Sequence, residues 1–444
     1  MHALPVIAVF DIGRTNKKRI LFDSQYRLLE EQSVHLPETT DEEGFPAEDL
    51  SLLTAWVKES FAEIGSRKEV ELKAVNVSAY GASFVHLNSS LQPLTPLYNY
   101  LKPFSAELQE TFNAKYDANG LLAGTTASPE LGHLNSGMQL YWLKKSHPRI
   151  FNEIKYSLHL PQYISFLFSH QCVADLTSIG CHTRLWDFDK QRYHSWVKEE
   201  GLLEKFPAIR PGDSVYRRPQ DGIPVGIGLH DSSAALIPYL SVFDEPFILI
   251  STGTWSISLN PFNHSPLTEQ QLKQDCLCYL SFQGKPVKAS RFFAGYQHDL
   301  YVEMLTAHFQ RAQDDHHGIK PDIVFLQKWL PVNDRDLERA CASAGSFETF
   351  EEAYHAGMIH LLRQQKKSTE RVMEPGQTKK IFVDGGFCKN ELFMYLMAIC
   401  FPEMEVYAAS LAQASALGAA LSIHQQWNPG ALPDRLPDLE RYSA

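Results

Sequence analysis

No stretch of this chain approaches the roughly 18 consecutive apolar residues that a bilayer-spanning helix needs, so no membrane partner is expected. The opening LPVIAVF has neither a basic leader nor a small-residue cleavage site and runs straight into Asp11, which predicts a cytoplasmic protein. Positive charge is scarce: 41 Lys and Arg stand against 52 Asp and Glu, for a net charge of -11. A nucleic-acid protein would present a basic face, so that class is set aside. Cysteine is too scattered for a disulfide framework. Seven occur, at 172, 181, 276, 278, 341, 388 and 400, and only Cys276 and Cys278 are close, in a C-x-C spacing that is not a usual zinc pattern. Reduced, structural thiols are predicted. Also missing are the G-x-x-x-x-G-K-[ST] phosphate loop, the G-x-G-x-x-G dinucleotide fingerprint and the H-E-x-x-H metal motif. The DDHHG at residues 314–318 reads as a polar loop, since no further ligands stand at helical spacing.

What is present is a globular composition, 44% hydrophobic and 21% charged, over 444 residues, a length comfortable for two domains. VIAVFDIG and RILFD read as strands joined by a turn at residues 13–16. LKAVNVSAYG is a further strand ending in small residues, which leaves room for a ligand at its C-terminal edge. The middle is mainly helical, with SGMQLYWLKKSHPRIF broken at Pro148. Then PFILISTGTWSISLN repeats strand, Gly-Thr turn, strand, and KKIFVDGGF repeats strand and small-residue turn. The repetition predicts an α/β protein of two similarly built domains facing each other, residues 1–235 and 236–444. Before the last of these strands, Phe350, Ala353, Tyr354, Gly357, Met358, Leu361 and Leu362 share one helical face, and Thr349 and Glu352 have capping-box spacing. That helix is a packing element.

Four pieces are able to carry chemistry, and each has a plain alternative. The DIGRTN turn offers backbone N–H groups, Thr15 and Asn16 to phosphate oxygens, with Asp11 as a partner for hydrated Mg²⁺; it is equally a solvated hairpin. The STGTW turn at residues 251–255 is a second such hairpin. In VGIGLHDSSAAL, Asp231 at a strand–helix junction is either an ordinary N-cap or a positioned general base. In IFVDGGFCKN, Asp384, Gly385 and Gly386 admit a flat ligand to the backbone and Asn390 is suited to capping the next helix; LAQASALGAAL has the small residues for close helix packing.

In this order the four pieces resemble the FGGY family of carbohydrate kinases, within the sugar kinase, heat-shock ATPase and actin superfamily. The family's phosphate motif is matched by Asp11, Gly13, Thr15, Asn16, Lys18 and Asp23. Its catalytic G-x-x-D is matched at Asp231, its S-x-G-T at Ser251, Gly253 and Thr254, and its adenosine motif at Gly385, Gly386, Asn390 and ALGAAL. The resemblance covers essentially the whole chain. It implies two ribonuclease-H-like domains around an interdomain cleft, the sugar mainly on residues 1–235 and ATP on residues 236–444. It further implies in-line transfer of the γ-phosphoryl of ATP, with Asp231 as base, Asp11 at Mg²⁺, the phosphates on Gly13, Arg14, Thr15, Asn16, Lys18, Ser251, Thr252, Gly253 and Thr254, and the adenosine at Gly385, Gly386 and Asn390.

Departures from the family concern Arg14, where a small hydroxyl residue is usual, and Gln413, where an acid is common. Arg14 either adds a cation at the γ-phosphate or obstructs the turn. On the sugar side the W-x-D-x-R of xylulose kinases is replaced by YNYLK at residues 98–102, and the glycerol-kinase Arg-Glu pair is absent. The Tyr98-x-Tyr100 order with STGTW is closer to rhamnulose and fuculose kinases, and Tyr100 suits the methyl end of a deoxy sugar; both tyrosines also suit simple packing. Expected sugar contacts are Ala82, Ser83, Tyr98, Tyr100, His230 and Asp231. The reading is therefore a ketose kinase, for a deoxyketohexose first, or a kinase for another ketose or polyol such as xylulose, ribulose or glycerol. The alternatives are a sugar- or nucleotide-binding regulator that has lost catalysis and an ATPase that needs no sugar. Monomer and homodimer are both compatible.

Overall fold

A computed structural model describes residues 3–374, 376–409, 411, 413–434 and 439–443. Its two large sheets are built on one plan. In the first, β1 (Leu4–Ile12) pairs antiparallel with β2 (Lys17–Asp23), which pairs antiparallel with β3 (Leu28–Val34). A short hairpin of β4 (Glu38–Thr40) and β5 (Pro46–Glu48) precedes β6 (Val70–Ala79), which returns parallel to β1 on its other side. Pro224–Gly226 then adds parallel to β6. In the second sheet, Phe247–Thr252 takes the place of β1, with Ser256–Asn260 and Pro286–Phe292 following antiparallel. Lys380–Gly385 and Glu405–Ala409 then add parallel on the other side. The repeated strand–turn–strand pattern of the sequence is thus a repeated sheet topology.

β1 is apolar on both faces because both are covered. Ala8, Phe10 and Ile12 face a core shared with the helices Leu50–Ser66 and Leu160–Ser169. Ile7 and Val9, on the alternate face, enter a core shared with the helices Asp231–Val242 and Ala414–Ser422. Those helices lie between the sheets in a crossed arrangement. Asp231–Val242 reaches the second sheet, where the Tyr239 ring meets Phe382 at 5.1 Å. Ala414–Ser422 comes from the far end of the chain and docks on the first sheet, its Ala419 carbonyl accepting from Asn76 Nδ2 at 2.7 Å. They pack very closely: a Cβ built on Gly418 would lie 1.8 Å from the Ala234 carbonyl oxygen. The sequence division at residues 235 and 236 falls inside the first of these helices.

The long helix is Phe350–Glu370, and its predicted face is buried. Thr349 caps it by accepting from Glu352 N at 3.1 Å, but the box is not reciprocal. Glu352 turns instead to Glu348 N, Trp329 Nε1 and Lys328. Cys276 and Cys278 are buried in one strand, and the cysteines are free thiols. Among the described residues no helix is long and apolar enough to cross a membrane, and no cluster of three or more His, Cys, Asp or Glu side chains forms a metal cage, DDHHG included.

Candidate active site

Strand register assembles the site at the C-terminal edge of the first sheet. Asp11 lies beside Ser78 of β6, and Ser78 pairs with Leu229 of the short strand Leu229–His230. The next residue, Asp231, begins the helix Asp231–Val242. Asp11 and Asp231 therefore arrive at the ends of the two strands that flank β6. Burial first, and the negative charge of Asp231 second, push the Asp11 carboxyl up to about 6. Ser415, from the docked C-terminal helix, donates to both Asp11 oxygens at 3.1 Å.

The N-cap alternative for Asp231 is corrected: His230 occupies the cap position and Asp231 is the first helical residue. Its carboxylate accepts from Ser232 N at 2.6 Å and Ser232 Oγ at 3.2 Å. About a third of the side chain (35%) faces open space, yet the surrounding protein removes enough water to push its carboxyl up to about 6. His230 is buried and held neutral, its pKa pushed down to about 3 by burial. Its Nε2 lies 3.3 Å from Asp231 Oδ1, so the ring proton belongs on Nε2, which also meets Cys181 Sγ at 3.0 Å. The ring stacks on Tyr279, 5.6 Å between centroids.

The first turn is closed by Gly13 N–H donating to the Asn16 carbonyl at 3.0 Å, which leaves Thr15 and Asn16 exposed at the tip. Lys18, opposite Asp11 in the hairpin, is shared between Glu31 at 2.9 Å and Gln413 Oε1 at 3.1 Å. The amide at 413 thereby accepts from Lys18 and donates to Glu31 at 2.8 Å, a bridging role an acid could not fill. The second turn is closed by Gly253 N–H to the Trp255 carbonyl at 2.8 Å, with Gly253 and Thr254 exposed. Beside it, Ser251 and Thr252 pair across the sheet with Asp384 and Gly385. Gly385 has φ +90°, and an added Cβ would sit 1.9 Å from the Thr252 carbonyl oxygen; Gly386 opens onto free space. The equivalent strand ends of the two sheets thus each present a glycine turn with an exposed tip, one beside Asp11 and Asp231, the other beside Gly385 and Gly386. Donors at such a tip suit phosphate oxygens.

Residues 6–237 match the N-terminal domain of the FGGY family of carbohydrate kinases, and residues 244–330 match the FGGY carbohydrate kinase C-terminal domain. The chain belongs to the FGGY family of carbohydrate kinases. A rhamnulokinase of Halalkalibacterium halodurans is 23% identical over 403 residues, 81% of this chain and 79% of that protein. An L-fuculokinase of Salmonella typhi is 24% identical over 278 residues, 57% of this chain and 56% of that protein. A solved carbohydrate kinase from Novosphingobium aromaticivorans shares the fold with a TM-score of 0.81 at 22% identity, covering 99% of this chain and 94% of its own. A ligand-bound xylulose kinase from Lactobacillus acidophilus does so at 0.77 and 16%, covering 95% and 89%. The two-domain sugar-kinase fold and the phosphotransferase class follow.

Several residues expected at ligands have other partners in this FGGY kinase. Arg14 reaches Glu48 at 3.2 Å and also pairs with Glu38. Thr252 is buried, donates to the Asp384 carbonyl at 2.5 Å and accepts from Phe387 N at 3.0 Å, which ties the second turn to the Gly385 turn. Asn390 caps the helix Glu391–Cys400 and donates to Tyr354 at 2.8 Å. Tyr98 is buried against Trp142 with its hydroxyl on Glu42, and Ser83 Oγ is buried against the Tyr98 carbonyl at 3.3 Å. Ala82 holds a left-handed backbone, φ 65°, and its carbonyl accepts from Gln139. Tyr100 alone of the tyrosine pair stays at the site, half-buried, its hydroxyl pushed upward in pKa first by burial, with contributions from Asp231 and Glu48.

The structure adds residues the sequence reading passed over. Ser415 lies in a stretch whose small residues signal only packing, and its separation of 404 residues from Asp11 leaves no local signal. Tyr239 Oη reaches Asp384 Oδ2 at 3.4 Å, and burial pushes the Asp384 carboxyl up to about 6. Glu48 and Tyr80 lie in segments with no motif.

Proposed function

We propose that this FGGY kinase transfers the γ-phosphoryl of Mg·ATP to a hydroxyl of a ketose, a deoxyketohexose of the rhamnulose or fuculose kind, with Asp231 as general base. The observation that carries this reading is Asp231 itself: a partly exposed carboxylate oriented by Ser232 and His230, with a proton affinity raised to about 6. A base in that range stays ionised near neutral pH and still accepts a proton readily. As the sugar oxygen bonds to phosphorus, its proton passes to Asp231, the bond from the γ-phosphorus to the bridging oxygen breaks, and ADP leaves. The turns at residues 13–16 and 253–254 would donate N–H and hydroxyl groups to the phosphates, and Gly385 and Gly386 would face the adenosine.

Asp11 fits a Mg²⁺ held largely through water and phosphate. It is an acid that feels the charge of a second acid, a repulsion that a dication relieves, and Mg²⁺ needs few protein carboxylates. Bound there, Mg²⁺ would neutralise charge building on the phosphates. For the sugar class the support is the names of the rhamnulokinase and L-fuculokinase relatives, together with the aromatic Tyr100 where xylulose kinases carry an acid.

The test is ADP release with Mg·ATP over L-rhamnulose, L-fuculose, xylulose, ribulose and glycerol, with Asp231→Asn as control. A sugar-dependent signal lost in the variant supports the reading and names the substrate. Wild-type turnover in the variant removes Asp231 as the base.

A further inference from the structure

Arg14 stands in the phosphate turn, yet its guanidinium is drawn toward the β4–β5 hairpin by Glu48 and Glu38. Glu48 is 7% exposed, and a single oxygen, Oε1, collects Arg14 at 3.2 Å, Lys17 Nζ at 3.1 Å and the Tyr80 hydroxyl at 3.0 Å. Among the described residues no donor meets its other oxygen, Oε2. A buried carboxylate with one crowded and one vacant oxygen has acceptor capacity for a further hydroxyl.

The cluster adjoins the candidate base. Tyr80 follows directly on β6 and precedes Gly81, where a Cβ would touch the His230 ring at 2.8 Å; His230 in turn lies 3.3 Å from Asp231. The Tyr100 ring meets Tyr80 edge-on at 5.9 Å, and its hydroxyl lies within reach of the charges of Arg14, Glu48 and Asp231. Carboxylate, guanidinium and two tyrosines therefore line one wall that ends at Asp231. Lys17 and Arg14 offset Glu48 and Glu38, which leaves the patch close to neutral.

We propose that Glu48 and Arg14 form the fork that reads the acceptor's hydroxyl groups, Glu48 Oε2 accepting from one and Arg14 donating to it or to its neighbour. This rests on the kinase reading and deepens it: Arg14 becomes a sugar-specificity residue, and the substrate class becomes a neutral polyhydroxyl compound in preference to a sugar acid. Charge-assisted bonds of this type discriminate strongly, because losing either partner leaves the other buried without its match.

The experiment measures KM for sugar and for ATP, and kcat, in Glu48→Gln, Arg14→Thr and wild type, with thermal unfolding of each. The panel is that above, with gluconate added as the anionic probe. The expected result is a sugar KM raised about 10- to 100-fold in each variant, ATP KM within about twofold, and gluconate a poor substrate. A raised ATP KM with unchanged sugar KM in Arg14→Thr would return Arg14 to the phosphates and overturn the proposal. So would a lowered melting temperature with both KM values unchanged, which would make the pair a brace for the hairpin. If wild type phosphorylates nothing, the kinase reading fails separately. The sugar-induced rise in melting temperature then decides the fork: a rise retained in Glu48→Gln, or none in wild type, overturns it.

Discussion

Gly418→Ala tests the tightest backbone approach at any glycine among the described residues. The added Cβ would lie 1.8 Å from the Ala234 carbonyl oxygen and 2.6 Å from its carbon, against an ordinary contact of about 3.5 Å. The obstructing atoms are backbone, so no side chain can swing away and the helices Asp231–Val242 and Ala414–Ser422 have to separate. Overpacking of this kind costs about 3 kcal/mol at the upper end of its usual range. Alanine returns about 1 kcal/mol in helix propensity, which leaves a net loss of about 2 kcal/mol. Urea denaturation followed by tryptophan fluorescence should show a lowered midpoint. Gly65→Ala, in the helix Leu50–Ser66 with nothing within 4 Å, should show a small rise instead. Turnover should fall as well, since one helix carries Asp231 and the other carries Ser415 against Asp11; misplacing reacting groups by about 1 Å costs up to about 100-fold. An unchanged or raised midpoint in Gly418→Ala would refute the packing argument, because propensity alone predicts that sign.

Asp231→Asn should cut kcat by about 10² to 10⁴ with sugar binding retained, as a sugar-induced rise in melting temperature would report. In wild type, kcat should fall as pH drops through about 6, because the base is lost when Asp231 takes a proton; a flat profile down to pH 5 would argue against it. Asp11 has a folded pKa of about 6, above its ordinary 3.8, so its contribution to stability is greatest below about pH 4 and is lost as pH rises through 6. Asp11→Asn should therefore melt at least as high as wild type at pH 8, with the gap closing near pH 4, while turnover is lost. Gly385→Ala, at φ +90° and 1.9 Å from Thr252 O, should lower the melting temperature and raise ATP KM together.

The hairpins and their duplication were legible because β-strand alternation and glycine turns are local signals, and each half repeats them. Asp231 was legible as a strand–helix junction, although its position one residue inside the helix was not. The tyrosine pair misled for a definite reason. Side chains two apart share a face only in a strand, and residues 98–101 form no strand here: Lys102 N–H closes a turn on the Asn99 carbonyl at 3.0 Å, so Tyr98 and Tyr100 part company. The Arg14–Glu48 pair and the Ser415–Asp11 contact bridge separations of 34 and 404 residues, which no pattern along the chain encodes.

The crossed helices set the order in which this protein can become itself. Ile7 and Val9 leave the ribosome long before the helix that shares their core, Ala414–Ser422. Until it emerges, one face of the first sheet lacks half of its helical cover, and a nascent chain that pauses before residue 414 carries an apolar surface of the kind that aggregates or recruits chaperones. The candidate site shares that timing: Asp11 is made 404 residues before the serine, Ser415, whose hydroxyl it accepts.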